Sequence, residues 1–151
     1  MEISYTLPGN HIVLQEIYNQ LNWRCNHLFS QSSYAYRQRG LGLDSAQRRI
    51  AQLTRPGGNL YIVKRDIRDY FPSINHELLL QMLKRWVAPD DYLYELIRQR
   101  IEFQIREGSE TTVATAGIPF GSAIACFLAN VYLTELDRVI DDIDEITYVR
   151  Y

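Results

Sequence analysis

Asp66 stands at the end of an apolar run, YIVKRD at residues 61–66, and a second aspartate, Asp69, follows three positions later. Phe71 and Pro72 come directly after, so the chain must turn here. A carboxylate carried by a strand end into a tight turn can reach a cleft and bind a hard divalent cation through oxygen. A plainer explanation stands beside it, in which Asp66 ends a strand or pairs with Arg65 or Arg68. A second segment, AGIPFGSAIACFLANVYLTELD at residues 116–137, gathers Gly117, Pro119 and Gly121 into one turn. Glycines there let backbone approach a ligand closely, and a helix opened by Ser122 offers its N-terminal amides. Good packing alone would also account for this junction, and Leu128, Val131, Leu133 and Leu136 read as core. A third segment, ITYVRY at residues 146–151, predicts only a strand.

Several elements must hold these segments in place. Apolar residues at Val13, Ile17, Leu21, Cys25 and Leu28 predict a helix over 11–29. Residues 30–43 are a Ser- and Gly-rich loop, after which Asp44 can cap a short helix bearing Ala46, Ile50 and Leu53. Pro56-Gly57-Gly58 is a turn, and 59–66 reads as a strand rich in β-branched and aromatic side chains. Asn75 can cap a helix using Leu79, Met82, Leu83 and Trp86. Pro89-Asp90 opens another, with Leu93, Ile97, Ile101 and Ile105 on one face. A turn at 107–110 and a strand over 111–115 lead to a long apolar helix from Ser122 to about Ile140. Strands and helices mix without regular alternation, which predicts an α+β fold.

Composition narrows the function classes. With 151 residues the chain can bury one real core. Its two cysteines, Cys25 and Cys126, form no CxxC and no Cys/His cluster, which argues against structural zinc and fits a reduced, cytoplasmic protein. No apolar stretch approaches a membrane span, and residues 1–10 do not have the form of a signal peptide. The net charge of −2 is unevenly spread. Residues 24–100 hold thirteen Lys/Arg against seven Asp/Glu, whereas 101–151 hold three against nine. A basic middle beside an acidic end suits a strand-binding surface next to a metal-binding one, and equally a solvated surface with segregated charge. Eleven tyrosines suit base stacking or an ordinary core.

Taken in order, the segments resemble reverse transcriptases of the prokaryotic kind. That group includes group II intron maturases, retrons, diversity-generating retroelements and abortive-infection enzymes. Asp66 with IRDYFPSI resembles the first palm motif, GIPFGSAIACFLANVYLTELD the second, and YVRY the approach to the third, where two adjacent aspartates normally follow. SYAYRQRG at 33–40 resembles the finger segment before the palm, so the resemblance runs from about Ile12 to Tyr151. It implies a partial right-hand polymerase, with fingers over about 1–58, palm over about 59–151, and helices on a small antiparallel palm sheet. The implied activity is RNA-directed DNA synthesis on an RNA template from a DNA or RNA primer, using deoxynucleoside triphosphates and two Mg²⁺ ions. Asp66 would then ligate both metals, and the Ile67 carbonyl the nucleotide-side one. The amides of Asp69 and Tyr70 would lie near the triphosphate, and Phe71 would be the aromatic gate that leaves no room for a 2′-hydroxyl. Pro119, Phe120 and Gly121 would border nucleotide and template, and Arg37 would contact phosphate.

The chemistry explains the residue types. Attack of a 3′-hydroxyl on an α-phosphate needs an activated nucleophile and a stabilised leaving group, which two metals roughly 3.5–4 Å apart supply. One aspartate cannot anchor two such ions, so no primer extension is expected from these 151 residues alone. A degenerate polymerase-like scaffold that holds nucleic acid without copying it is the competing reading. Three departures from the family pattern stand out. Phe120 replaces the usual glutamine, and Ala125-Cys126 replaces Ser-Pro or Ser-Gln, which argues against close kinship with intron maturases or the diversity-generating group. The basic finger motif that contacts triphosphate is not seen in the chain.

Overall fold

The computed structural model describes residues 8–37, 40–55, 60–102, 104–107, 110–118 and 121–151, which form a mostly helical α+β fold. Helix α1 spans Pro8–Cys25 and runs into a 3-10 turn, Asn26–Leu28. Its buried face is Leu14, Ile17, Tyr18, Leu21 and Cys25, while Val13 and Leu28 are exposed. Helix α2 covers Leu43–Leu53, with Asp44 inside its first turn rather than at the cap. A single turn, α3, covers Tyr70–Ser73. Helix α4, His76–Leu83, starts where expected, because the Asn75 carboxamide accepts from the Leu78 N–H at 2.9 Å. Helix α5, Tyr92–Ile101, is capped by Asp91, which accepts from Leu93 N–H at 2.8 Å and also pairs with Arg24 at 2.7 Å.

The periodicity that predicted a helix through Ile105 overran the real end at Ile101. Ile105 instead lies in strand β1, Gln104–Glu107, paired antiparallel with β2, Glu110–Val113, so that Ile105 faces Thr112. Apolar spacing alone does not separate the last helical turn from a strand that follows it.

The long apolar helix is two. Helix α6, Ala123–Tyr132, opens on the Ser122 cap, and α7, Thr134–Asp141, follows after a break at Leu133. The Thr134 hydroxyl donates to the Val131 carbonyl at 2.7 Å, and the Leu133 N–H turns back to Asn130 and Val131. Those local bonds compete with the helical ladder and end it.

Helix α6 is the centre of the core. Ile124, Ala125, Phe127, Leu128, Ala129 and Val131 are all buried, and the helix packs between α1 and α4. Phe29, Trp86 and Phe127 form an aromatic cluster beside it, with the Phe29 ring 4.8 Å from Trp86 and 5.2 Å from Phe127. Such packed pairs add about 0.5–1.5 kcal/mol each beyond their buried area.

Two expected strands are not formed. Residues 60–67 have no regular structure, and Tyr61 is 93% exposed. Strand propensity expresses itself only against a pairing neighbour, and among the described residues nothing pairs with this segment. Residues 146–151 make one parallel bridge, Ser33 to Arg150, and no ladder. The β1–β2 pair is the only sheet among the described residues. The turn at Pro56-Gly57-Gly58 lies outside them. Among the described residues no helix is long and apolar enough to cross a membrane. Neither cysteine is in a disulfide, and burial pushes both thiols above their ordinary pKa.

Candidate nucleotide-binding site

The two chemistry-bearing turns, far apart in sequence, are sewn together by backbone. The Gly117 N–H donates to the Ile74 carbonyl at 2.8 Å, and the Ile118 N–H to the Phe71 carbonyl at 3.1 Å. The His76 N–H donates to the Thr115 carbonyl at 3.0 Å, and Asn75 and Ala116 form an antiparallel bridge. The buried His76 ring adds an Nε2–H bond to the Gly117 carbonyl. Gly117 makes the close approach possible. Its φ is +91°, and a Cβ there would lie 3.3 Å from the Pro72 carbonyl oxygen. The tight contact is therefore between the two turns rather than between Gly117 and a ligand.

Asp66 and Ile67, a few residues before the junction in sequence, are exposed. Asp69 is exposed and adopts a left-handed backbone at φ +48° as it leads into α3. Aspartate tolerates that conformation better than most residues. Its carbonyl accepts from Ser73, and its carboxylate reaches Arg68 at 3.5 Å, a surface pair of little energetic weight. Tyr70 anchors the turn from below, with its hydroxyl donating to the Ala129 carbonyl of α6. Burial pushes that hydroxyl far above the ordinary tyrosine pKa, so it stays a neutral donor. Phe71 is buried, with its ring edge-on to Tyr36 at 6.2 Å and to Tyr70 at 5.6 Å. Gly121 is exposed at φ +93° with open space around it. Pro119 and Phe120 lie outside the described residues.

Arg37 departs from expectation. Its guanidinium donates to the carbonyls of Ser30 at 2.6 Å, Ser33 at 3.3 Å and Asn26 at 3.1 Å, and to the Asn26 side chain at 3.4 Å. It also lies 5.5 Å above the Phe29 ring. Burial and the nearby Arg150 hold its pKa below the usual arginine value. A guanidinium committed in this way shapes the loop instead of reaching for phosphate.

A buried polar network escaped the sequence reading. Asp137 is fully buried and receives two bonds from Arg150, at 2.7 Å from Nε and 2.6 Å from Nη2. Arg150 also donates to Asn130 at 2.8 Å and to the Ser33 hydroxyl at 2.7 Å. Asn130 in turn donates to the Ala35 carbonyl at 2.6 Å. Burial, reinforced by Asp137, pushes the Tyr148 hydroxyl up to about 12. Part of the signal was present: Asn130 is a polar residue inside the apolar run AIACFLANVY of α6. Polar residues at core positions demand partners, and Arg150 is that partner.

Among the described residues no group of three or more His, Cys, Asp or Glu could hold a metal ion. The donors that the sequence nominated, the Asp66 carboxylate and the Ile67 carbonyl, are oxygens of two exposed residues. Mg²⁺ keeps several waters and shares its remaining positions with substrate phosphates, so this donor set suits it as part of a site.

The "Uncharacterized 91 kDa protein in cob intron" of Schizosaccharomyces pombe is 30% identical over 132 residues, which is 87% of this chain and 15% of that protein. The "Putative COX1/OXI3 intron 1 protein" of Saccharomyces cerevisiae is 29% identical over 89 residues, 57% of this chain and 10% of that protein. The chain thus spans a small part of the length of either relative. The family model described as "Reverse transcriptase (RNA-dependent DNA polymerase)" matches residues 10–151, nearly the whole chain, and the chain belongs to that family.

Proposed function

We propose that this chain supplies fingers (about 1–58) and palm (about 59–151) of an RNA-directed DNA polymerase that extends a primer on an RNA template. The observation that carries the reading is the backbone seam between the Asp66–Ile74 and Thr115–Ile118 turns. It joins the two motif turns, in which Asp66, Asp69 and Gly121 are exposed and Phe71 is buried. In a complete palm, residues 60–67 would gain a strand partner, and the exposed Tyr61, Ile62 and Val63 would be covered.

Asp66 and the Ile67 carbonyl would hold Mg²⁺, which when bound lowers the pKa of the attacking hydroxyl and stabilises charge on the leaving pyrophosphate. The remaining roles belong to the chain itself. The Asp69 and Tyr70 amides, at a left-handed turn, would receive triphosphate oxygens. The Tyr70 hydroxyl, bonded to α6, keeps that turn from shifting. The Phe71 ring would lie beneath the sugar, with Pro119, Phe120 and Gly121 beside the nucleotide and template. Arg37 has no part in this reading, because the loop uses its guanidinium.

Both relatives are named as intron products. That supports an intron-associated setting despite the departures at Phe120 and Ala125-Cys126. The test is single-nucleotide extension of a primer on an RNA template by the full-length protein with Mg²⁺. Phe71→Ala is expected to relax discrimination against ribonucleotides by about 10–200-fold, the range typical of a steric pocket. Unchanged sugar selectivity would remove Phe71 from the gate. Template binding without any extension would favour the scaffold reading.

A further inference from the structure

Tyr36 is a large aromatic residue, 53% exposed, in a left-handed backbone conformation at φ +52°. Residues other than glycine adopt that conformation when their surroundings force it. The surroundings here are explicit. Before Tyr36, the Tyr34 N–H donates to the Arg150 carbonyl at 2.8 Å, and the Ala35 carbonyl accepts from Asn130 at 2.6 Å. After it, the Arg37 guanidinium binds three backbone carbonyls of residues 26–33. Arg150, itself held by Asp137, closes the frame through Ser33.

Core packing does not explain why a half-exposed ring is held so firmly. Its ring contact offers an explanation. The Tyr36 ring stands edge-on to Phe71, with centroids 6.2 Å apart and planes at 81°. The Phe71 backbone is bonded to Ile118, and its ring is packed in the core cluster. The half-exposed Tyr36 ring meets the Phe71 ring edge-on, as Tyr70 does from within the same turn, so its removal would loosen the packing around Phe71. We propose that Tyr36 is a positioning residue that fixes the Phe71 ring and thereby sets the preference between deoxyribo- and ribonucleoside triphosphates. The frame built on Asn130, Arg150 and Asp137 exists, on this view, to hold Tyr36 in a conformation it would otherwise leave. The inference rests on the polymerase reading and on Phe71 as the gate.

The test uses the full-length protein on an RNA template and compares kcat/KM for a deoxynucleotide and its ribonucleotide counterpart. Tyr36→Ala and Tyr36→Leu are expected to shift the ratio toward ribonucleotides by about five- to tenfold, the weight of one aromatic contact. Tyr36→Phe keeps the ring and is expected to preserve the wild-type ratio. Two substitutions of different bulk guard against a folding defect in one of them, which thermal unfolding would reveal. Ratios within twofold of wild type in folded Ala or Leu variants, while Phe71→Ala shifts the ratio, overturn the role of Tyr36 and leave the gate standing. If Phe71→Ala is also silent, the gate assignment falls and the inference with it. A wild-type protein that extends no primer overturns the polymerase reading and this inference together.

Discussion

Asp66→Ala is expected to abolish RNA-templated primer extension by the full-length protein, by a factor on the order of 10³ or more, as when a single transition-state-stabilising group is lost. The expectation follows from where the carboxylate sits. Asp66 is exposed, so deleting its side chain leaves no cavity. Exposed substitutions of this kind shift stability by no more than about 0.5 kcal/mol. A thousandfold loss of rate corresponds to about 4 kcal/mol of transition-state stabilisation. The two effects are thus far enough apart to separate in one variant. Extension rates should collapse, while the thermal midpoint and the affinity for template–primer stay close to wild type. Asp66→Asn, nearly identical in shape, should fail as completely. Retained synthesis in either variant would take Asp66 out of the metal site, and a collapse of folding would mean that its role is structural.

The second large effect is on stability. Asp137→Ala is expected to lower the unfolding free energy by about 3–5 kcal/mol, because it leaves the Arg150 guanidinium buried without its counter-charge. The side chains of the pair are 1% and 11% exposed, so solvent cannot rescue the survivor. Against a typical total of about 5–15 kcal/mol, that is a large fraction. The double substitution Asp137→Leu with Arg150→Met should be much milder, since matched apolar groups often replace a buried ion pair at little cost. Denaturant unfolding of the Asp137→Ala variant and the double variant makes the comparison. Equal losses in Asp137→Ala and in the double variant would show that the energy lies in packing rather than in the pair.

Local signals were legible in the sequence, and non-local ones were not. The caps at Asn75 and Ser122 were readable because a cap needs only its own helix, and both form. The face of α1 at Ile17, Leu21 and Cys25 was readable from its spacing. Residues 60–67 misled because strand propensity says nothing about whether a partner is present. The overrun at Ile105 and the missed break at Leu133 have one cause. Apolar periodicity continues across a chain reversal as easily as along a helix. In the site, the order of the motifs located the Asp66 turn and the Gly117 turn. The bonds that join them depend on residues about forty positions apart. The role of Arg37 was invisible for the same reason, since four acceptors spread over residues 26–33 decide it.

The seam between His76 and Thr115 has a topological consequence. The stretch between them, carrying α4, α5 and the β1–β2 hairpin, leaves and re-enters the site at points one hydrogen bond apart. It is a closed excursion, a handle whose two roots are welded together. Lengthening such a handle in a loop adds only the entropy of a longer loop, about 0.6 kcal/mol per doubling. The hairpin stands at one root of the handle, with β2 ending at Val113 two residues before Thr115, whereas α4 at the other root is tied into the core through Leu79 and Leu83. The hairpin can therefore lengthen or shorten while the bonds of the seam keep the two turns in registration. The part of this fold freest to diversify is thus tethered directly to the part that can change least.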